Sequence, residues 1–173
     1  MKVPAFNILV LVCVAANIIR LGYEVLKHKK LLVPNKVSFV IILTNMLILW
    51  VSWYLLCSLD PFRNKLPFML SYFGMFLFII GVILFLTALF TIKSLETYSG
   101  DLITTGIYSM IRHPMYLAFI LWLIGLPTHF GGMFSFALAI LFIANILLWR
   151  YLEELDLLER FAGYNAYRKT TIF

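Results

Sequence analysis

The chain has 173 residues, of which 63% are hydrophobic and only 13% charged, and its mean hydropathy is +0.98. A soluble domain of this size needs a far richer charged exterior, so the composition excludes one and predicts a single integral membrane bundle. The formal net charge of +6 falls in short segments between apolar runs, with no basic patch interleaved with aromatics on a soluble face. It therefore reads as topology signals and anionic-lipid contacts, with no nucleic acid expected as a partner.

The first apolar run, Pro4 to about Glu24, is long enough to cross a bilayer core and reads as a retained first helix. Arg20 interrupts it and is expected to snorkel toward the basic loop Lys27–Lys36. A second span follows from Val37 to Ser58, with Trp50, Trp53 and Tyr54 as an interfacial belt and Asn45 as an interhelical hydrogen-bonding group. The short, proline-punctuated loop from Asp60 to Pro67 leads into a third span, Phe68 to about Ile92. There Gly74, Gly81 and Ala88 recur every seven residues, a seam of small residues that lets another helix approach closely. Cys13 and Cys57 lie inside apolar runs as small buried residues. With His28, His113 and His129 scattered, no metal-ligand spacing appears and no metal is expected.

The polar segment from Lys93 to Gly106 is the longest in the chain, and its content of Leu, Ile, Tyr and Thr predicts an ordered loop. Between His113 and Pro127 lie only 13 residues, about 20 Å of helix against a hydrocarbon core of about 30 Å. The fourth helix starts either near Tyr108 or at Pro114, a favoured first helical position, and both choices pull the cluster Arg112-His113-Pro114-Met115-Tyr116 toward the lipid boundary. The link Pro127-Thr128-His129-Phe130-Gly131-Gly132 turns the chain back, and Met133 to Trp149 forms a fifth span antiparallel to the fourth. Beyond it Arg150 to about Phe161 reads as an amphipathic helix carrying Glu153 and Glu154. The fold predicted is all-α and integral to the membrane, with about five transmembrane helices, a C-terminal helical hairpin and a cytosolic cofactor loop. Residues 1–92 form a three-helix N-terminal part and 93–173 the part that carries the chemistry.

With five spans, one face holds Lys27, Lys29, Lys30, Lys36, Lys93, Arg112, Arg150, Arg160, Arg168 and Lys169, and the other Lys2, Arg63 and Lys65. The positive-inside rule then puts the N-terminus outside, and the C-terminus with both polar clusters in the cytosol. The hairpin brings Arg112, His113 and Tyr116 beside Arg150, Glu153 and Glu154. Interfacial anchoring and a local ion pair would account for these residues. Ionisable groups at the edge of an apolar span also mark functional sites. Here they offer acceptors for an amine, rings for an adenine or a cation, and arginines for a carboxylate.

The segment from Lys93 to Tyr167 resembles the membrane methyltransferases typified by isoprenylcysteine carboxyl methyltransferase, to which the phospholipid N-methyltransferases are related. The resemblance rests on Leu102-Ile103-Thr104-Thr105-Gly106-Ile107-Tyr108, on Arg112-His113-Pro114-Met115-Tyr116, and on Glu153-Glu154 followed by Leu157 and Phe161. It implies an S-adenosylmethionine site lined by Gly100, Asp101, Leu102, Ile103, Tyr108, His113, Pro114, Met115 and Tyr116, with Lys93 as a further polar contact. A glutamate of the pair would hold the cofactor's amino group. Counted from Glu154, Arg150 matches the arginine that binds the substrate carboxylate; counted from Glu153, Leu157 and Phe161 fit better, so both glutamates stay open. Two departures stand out: Ala118 replaces a frequent glycine, and the tail Phe161-Ala162-Gly163-Tyr164-Asn165-Ala166-Tyr167 has altered spacing.

The activity implied is S-adenosylmethionine-dependent carboxyl O-methylation of an isoprenylcysteine-like or other lipidic substrate that enters from the bilayer. Arg112 or Arg150 would orient a carboxylate nucleophile without a general base, whereas an amine would need Glu153 or Glu154 as one. Alternatives are a phospholipid amine N-methyltransferase, a small-thiol S-methyltransferase, a membrane reductase on a related hairpin, and a non-enzymatic scaffold or transporter subunit.

Overall fold

The computed structural model describes residues 2–92 and 102–173. Among them the chain is helical: α1 (Lys2–His28), α2 (Lys36–Leu59), α3 (Phe68–Ile92), a 3-10 turn (Gly106–Ser109), α4 (Pro114–Phe130), α5 (Met133–Arg160) and α6 (Tyr164–Thr170). Four of these, α1, α2, α3 and α5, are long and apolar enough to cross a membrane, and α4 is a shorter apolar helix. This is an all-α integral membrane protein.

Local sequence explains the boundaries. Asn35 caps α2, its side chain accepting from Val37 N and Ser38 N at 2.9 Å each, while Ser38 Oγ accepts from Asn35 N at 2.9 Å. Pro114 opens α4 at the first helical position, where its missing N–H costs nothing. The expected stop at Pro127 does not occur. The helix runs on through Phe130, the Thr128 hydroxyl donating to Ile124 O at 2.8 Å, and ends only at Gly131, whose φ of 70° is the left-handed conformation that glycine adopts without strain. The link to α5 is thus Gly131-Gly132 alone. Residues 150–160 likewise form no separate amphipathic helix, because α5 continues unbroken to Arg160.

The tight link fixes the register of the α4–α5 hairpin. Phe130 back to Pro114 and Met133 on to Trp149 are equal counts, so Trp149 lies level with Pro114. The last three turns of α5 therefore rise past the start of α4 and place Glu153 and Glu154 alongside His113.

Helices α1, α2, α4 and α5 surround one apolar core that includes Cys13, Leu49, Trp53, Leu56, Cys57, Leu123, Phe142, Ile146 and Trp149. Within it Asn45 donates to Ala16 O at 3.0 Å, and Asn145 to Asn17 Oδ1 at 3.2 Å, so these amides do tie helices together. Helix α3 stands outside this ring and packs mainly on α4. A Cβ on Gly74 would lie 2.7 Å from Gly125 O, and Gly81 abuts Trp122, so the small-residue seam is the contact. Helix α2 packs on α1 and more lightly on α4, leaving a gap toward α3.

On the far face, Asp60 caps the start of α5. Its carboxylate accepts from Ser135 N at 2.7 Å, Ser135 Oγ at 2.8 Å and Phe62 N at 2.9 Å. A backbone pair between Arg63 and Gly132 adds to this corner.

Candidate active site

At the opposite face residues 102–113 meet the end of α5. His113, 6% exposed, lies between the two glutamates. Its Nδ1 is 3.7 Å from Glu153 Oε2 and its Nε2 is 3.4 Å from Glu154 Oε1. Tyr164 OH lies 3.4 Å from the same Nε2, and the Tyr116 ring stacks against the imidazole at 5.7 Å. Burial on its own would push the imidazole pKa down, but hydrogen bonds and charge from Glu153 and Glu154 outweigh it and raise the value above the ordinary histidine range. Burial pushes the Tyr108 and Tyr164 phenols up, so both stay neutral donors.

The two glutamates are not equivalent. The Glu154 side chain is 7% exposed and is the hub of a cationic cluster: Arg112 Nε at 3.4 Å, with Arg150 Nε and Arg168 Nη2 each at 3.9 Å. The Glu153 side chain is 40% exposed and lines a cavity of about 680 Å³. Cavities of this size suit a small-molecule ligand. Leu102, Ile103, Tyr108, Arg112, His113, Pro114, Met115 and Tyr116 line the same cavity. Glu154 and Arg150 stand behind its wall, where the Arg150 guanidinium lies 4.7 Å from the Phe173 ring. Gly100, Asp101 and Lys93 lie outside the described residues.

Several wall residues were not anticipated. From α1 come Arg20 and Lys27. Arg20 does not snorkel to the basic loop: it pairs with Glu24 one turn on and lies over the Tyr23 and Trp149 rings. From the end of α5 and the tail come Asp156, Arg160, Phe161, Tyr164 and Tyr167. Asp156 Oδ1 is 2.7 Å from His28 Nδ1, which ties the ends of α1 and α5 together. The i,i+4 spacing of Arg20 and Glu24 was a readable signal, and in the tail Phe161 was marked only by the resemblance.

The tail clamps the arginine of the first cluster. Arg112 Nη1 donates to Thr171 O at 2.6 Å and Arg168 O at 2.9 Å, and Arg112 N donates to Ile172 O at 3.1 Å. Ile172 N returns a bond to Met110 O at 2.9 Å, and Tyr167 OH donates to Tyr108 O at 2.6 Å. The segment before α4, with little regular structure of its own, is thus held from the side by residues some fifty to sixty positions later.

Chemically the cavity combines two accessible carboxylates, Glu153 and Asp156, with several basic side chains, four tyrosines and an apolar extension into the membrane. That set fits a zwitterionic, ring-bearing molecule beside an apolar chain. In comparisons with known proteins, neither the curated proteins nor the solved structures give a match to the chain. The sequence model of the phospholipid methyltransferase family, however, matches residues 69–163, just over half of the chain. The matched segment runs from α3 through the 3-10 turn, α4 and α5 to the start of the tail, so it carries the histidine and both glutamates. The chain belongs to the phospholipid methyltransferase family and is a membrane methyltransferase.

Proposed function

We propose that this protein uses S-adenosylmethionine to methylate the carboxylate of an isoprenylcysteine-like or other lipidic acceptor that enters from the bilayer. The observation that carries the reading is one cavity spanning two environments. Its polar end holds Glu153, His113 and Arg112, and its walls continue between α2, α3 and α4 through Leu43, Met46, Phe85 and Phe119. The gap between α2 and α3 gives a lipid chain a lateral way in.

The residues present fit the cofactor. Glu153 would accept its amino group, and Tyr108, Tyr116, Tyr164 and Tyr167 offer faces for adenine and for the sulfonium. Leu102, Ile103, Pro114 and Met115 would enclose it, with Gly100, Asp101 and Lys93 as further contacts. When bound, the cofactor supplies an already activated methyl group. The protein's own part is then alignment and exclusion of water. Arg112, fixed by the tail, would orient the acceptor carboxylate. His113, between two carboxylates that favour its charged form, would keep Glu153 turned toward the cavity. Glu154 and Arg150 would act from behind the wall by positioning Arg112 and His113. No general base is needed for a carboxylate acceptor.

Topology follows the charges. The face bearing the cavity gathers most of the lysines and arginines, which supports a cytosolic site, a cytosolic C-terminus and an external N-terminus. In this reading residues 1–92 serve as the membrane-embedded support and 93–173 as the cofactor-binding part.

Isothermal titration with S-adenosylhomocysteine tests the cofactor assignment: binding is expected in the intact protein and at least about tenfold weaker binding in Glu153→Gln. Equal affinity in the two proteins would remove the assignment. Membranes given cofactor labelled in its methyl group then test the acceptor. Base-labile label in the lipid fraction supports the ester, and base-stable label in a headgroup overturns it in favour of phospholipid amine methylation. That second chemistry is favoured by one observation, the accessible Glu153 and Asp156 carboxylates on the cavity wall, which could receive an ammonium proton.

A further inference from the structure

The apolar end of the cavity is built differently from its polar end. Along α2 the lining residues are Phe39, Ile42, Leu43, Met46, Leu47 and Trp50, at spacings of three and four, so one face of the helix forms the wall. From Phe39 to Trp50 that wall descends about 16 Å into the bilayer. It ends on interlocked rings. The Trp50 ring lies 4.9 Å from Phe119 and 4.9 Å from Trp122, the latter edge-on at 90°. Phe85 closes the other side, 5.6 Å from Phe119 and 5.4 Å from Trp122.

Trp50 has a second neighbour. On its other side is a small void of about 10 Å³ bordered by Leu49, Leu123, Phe142 and Ile146 in the core. Trp50 lines both spaces and so forms the partition between them. Truncating it would join the cavity to the void behind. Truncating a residue higher on the same wall would widen the cavity without deepening it. Trp50 lies outside the segment matched by the family, 69–163, so the N-terminal hairpin supplies this one ring of the floor, while Phe85, Phe119 and Trp122 lie within the matched segment.

We propose that Trp50 is a length gauge: its ring, braced by Phe119 and Trp122, sets how long a single apolar chain can be when the acceptor's head reaches Arg112. The occupant is one chain of an anionic amphiphile, since Arg20, Lys27, Arg112 and Arg160 all border the upper cavity, against Glu153 and Asp156. This rests on the lipid-acceptor reading above, and it places the gauging ring on α2, outside the matched segment that braces it. Side chains on the upper wall set width, and the ring floor sets depth.

The test measures binding and needs no turnover. The probe is radiolabelled myristate bound to the purified full-length protein in detergent micelles, displaced by saturated carboxylates from octanoate to eicosanoate. In the wild type, affinity should rise with chain length and then break sharply at one length. In Trp50→Ala the break should move to longer chains, with the first excluded carboxylate regaining about tenfold in affinity. Met46→Trp, which places a large ring one turn higher, should move the break to shorter chains. That variant keeps the question open to refutation if Trp50→Ala fails to fold. A break at the same length in Met46→Trp and in any folded Trp50 variant overturns the gauge, as does smooth dependence on length in the wild type. S-adenosylhomocysteine binding by the wild type is read separately. Its absence would remove the methyltransferase assignment and leave the chain-length result standing, whereas its presence with an unmoved break removes the gauge alone.

Discussion

Two buried carboxylates occupy corresponding corners of this bundle, one at each membrane face, and they are put to different uses. Asp60, 2% exposed, begins the link between α2 and α3 and spends its acceptor capacity on two backbone N–H groups and one hydroxyl, with bonds of 2.7–2.9 Å. Glu154, 5% exposed, has no such set of short bonds. Three arginines and a histidine surround it at 3.4–3.9 Å, and its sequence neighbour Glu153 opens into a cavity. A carboxylate satisfied by the backbone at a helix start fixes a corner. One ringed by several cationic side chains helps fix the positions of those cations, and through them a site. Burial alone does not separate the two cases; the identity and number of the partners does.

The comparison can be broken most forcefully at its hub. Replacing Glu154 with alanine leaves Arg112, Arg150 and Arg168 facing one another around His113, and removing one partner from a buried charge cluster costs about 3–5 kcal/mol. Thermal unfolding in detergent should show that loss, and methyl transfer per folded molecule should fall with it because Arg112 keeps only its tail bonds and His113 loses one of its two carboxylates. Asp60→Ala should be next in size. It removes the acceptor of Ser135 N and Phe62 N, while Ser135 Oγ keeps Gly132 O at 3.1 Å, and a buried donor left unsatisfied costs about 1–3 kcal/mol. S-adenosylhomocysteine affinity of the folded fraction should stay unchanged in that variant; a loss of affinity would show that the two faces are coupled.

The reverse dissociation is expected at Glu153. Glu153→Gln should weaken S-adenosylhomocysteine about tenfold while shifting the unfolding midpoint little, since its carboxylate is partly open to the cavity. Tyr167→Phe removes a single bond to Tyr108 O and should cost about 1 kcal/mol in the same unfolding assay. The gentlest perturbation is pH. His113 has a folded pKa raised above its ordinary value, so its contribution to stability is complete below about pH 6.5 and is lost as pH climbs through the folded value. Unfolding midpoints should therefore decline as pH rises above about 6.5, and His113→Gln should flatten that decline. A decline of the same size in the variant would assign the titration to another group.

Much of the frame was readable from the chain, for physical reasons. The apolar runs gave the spans because lipid demands them, and Gly74, Gly81 and Ala88 gave the α3 face because a Cβ at either glycine would collide with α4. The juxtaposition of His113 with Glu153 and Glu154 followed from the hairpin. Three things did not follow. Proline at 127 was read as a helix end, yet proline forfeits only one donor and the helix had the Gly131 cap still to reach. The place of Arg150 outside the cavity lining is not legible either, because the direction of a helical side chain depends on the rotation of α5, which the core residues Ile146 and Trp149 set. The strap formed by Thr171 and Ile172 was invisible because its bonds run through backbone atoms, which carry no sequence signature.

The two-residue turn between α4 and α5 has a further consequence, for the membrane around the protein. With only Gly131-Gly132 to spare, the hairpin cannot lengthen or slide, so the height of His113 above the opposite face is set by the 17 residues of α4, about 25 Å of helix. A hydrocarbon layer of about 30 Å is thicker than that. In a thick bilayer His113 and Glu153 are submerged among acyl chains, which under the proposed function brings them near a lipid acceptor and far from a water-soluble cofactor; in a thin one the balance reverses. The rate of this protein should therefore pass through a maximum as acyl-chain length is varied in reconstituted vesicles, which makes bilayer thickness itself a control on turnover.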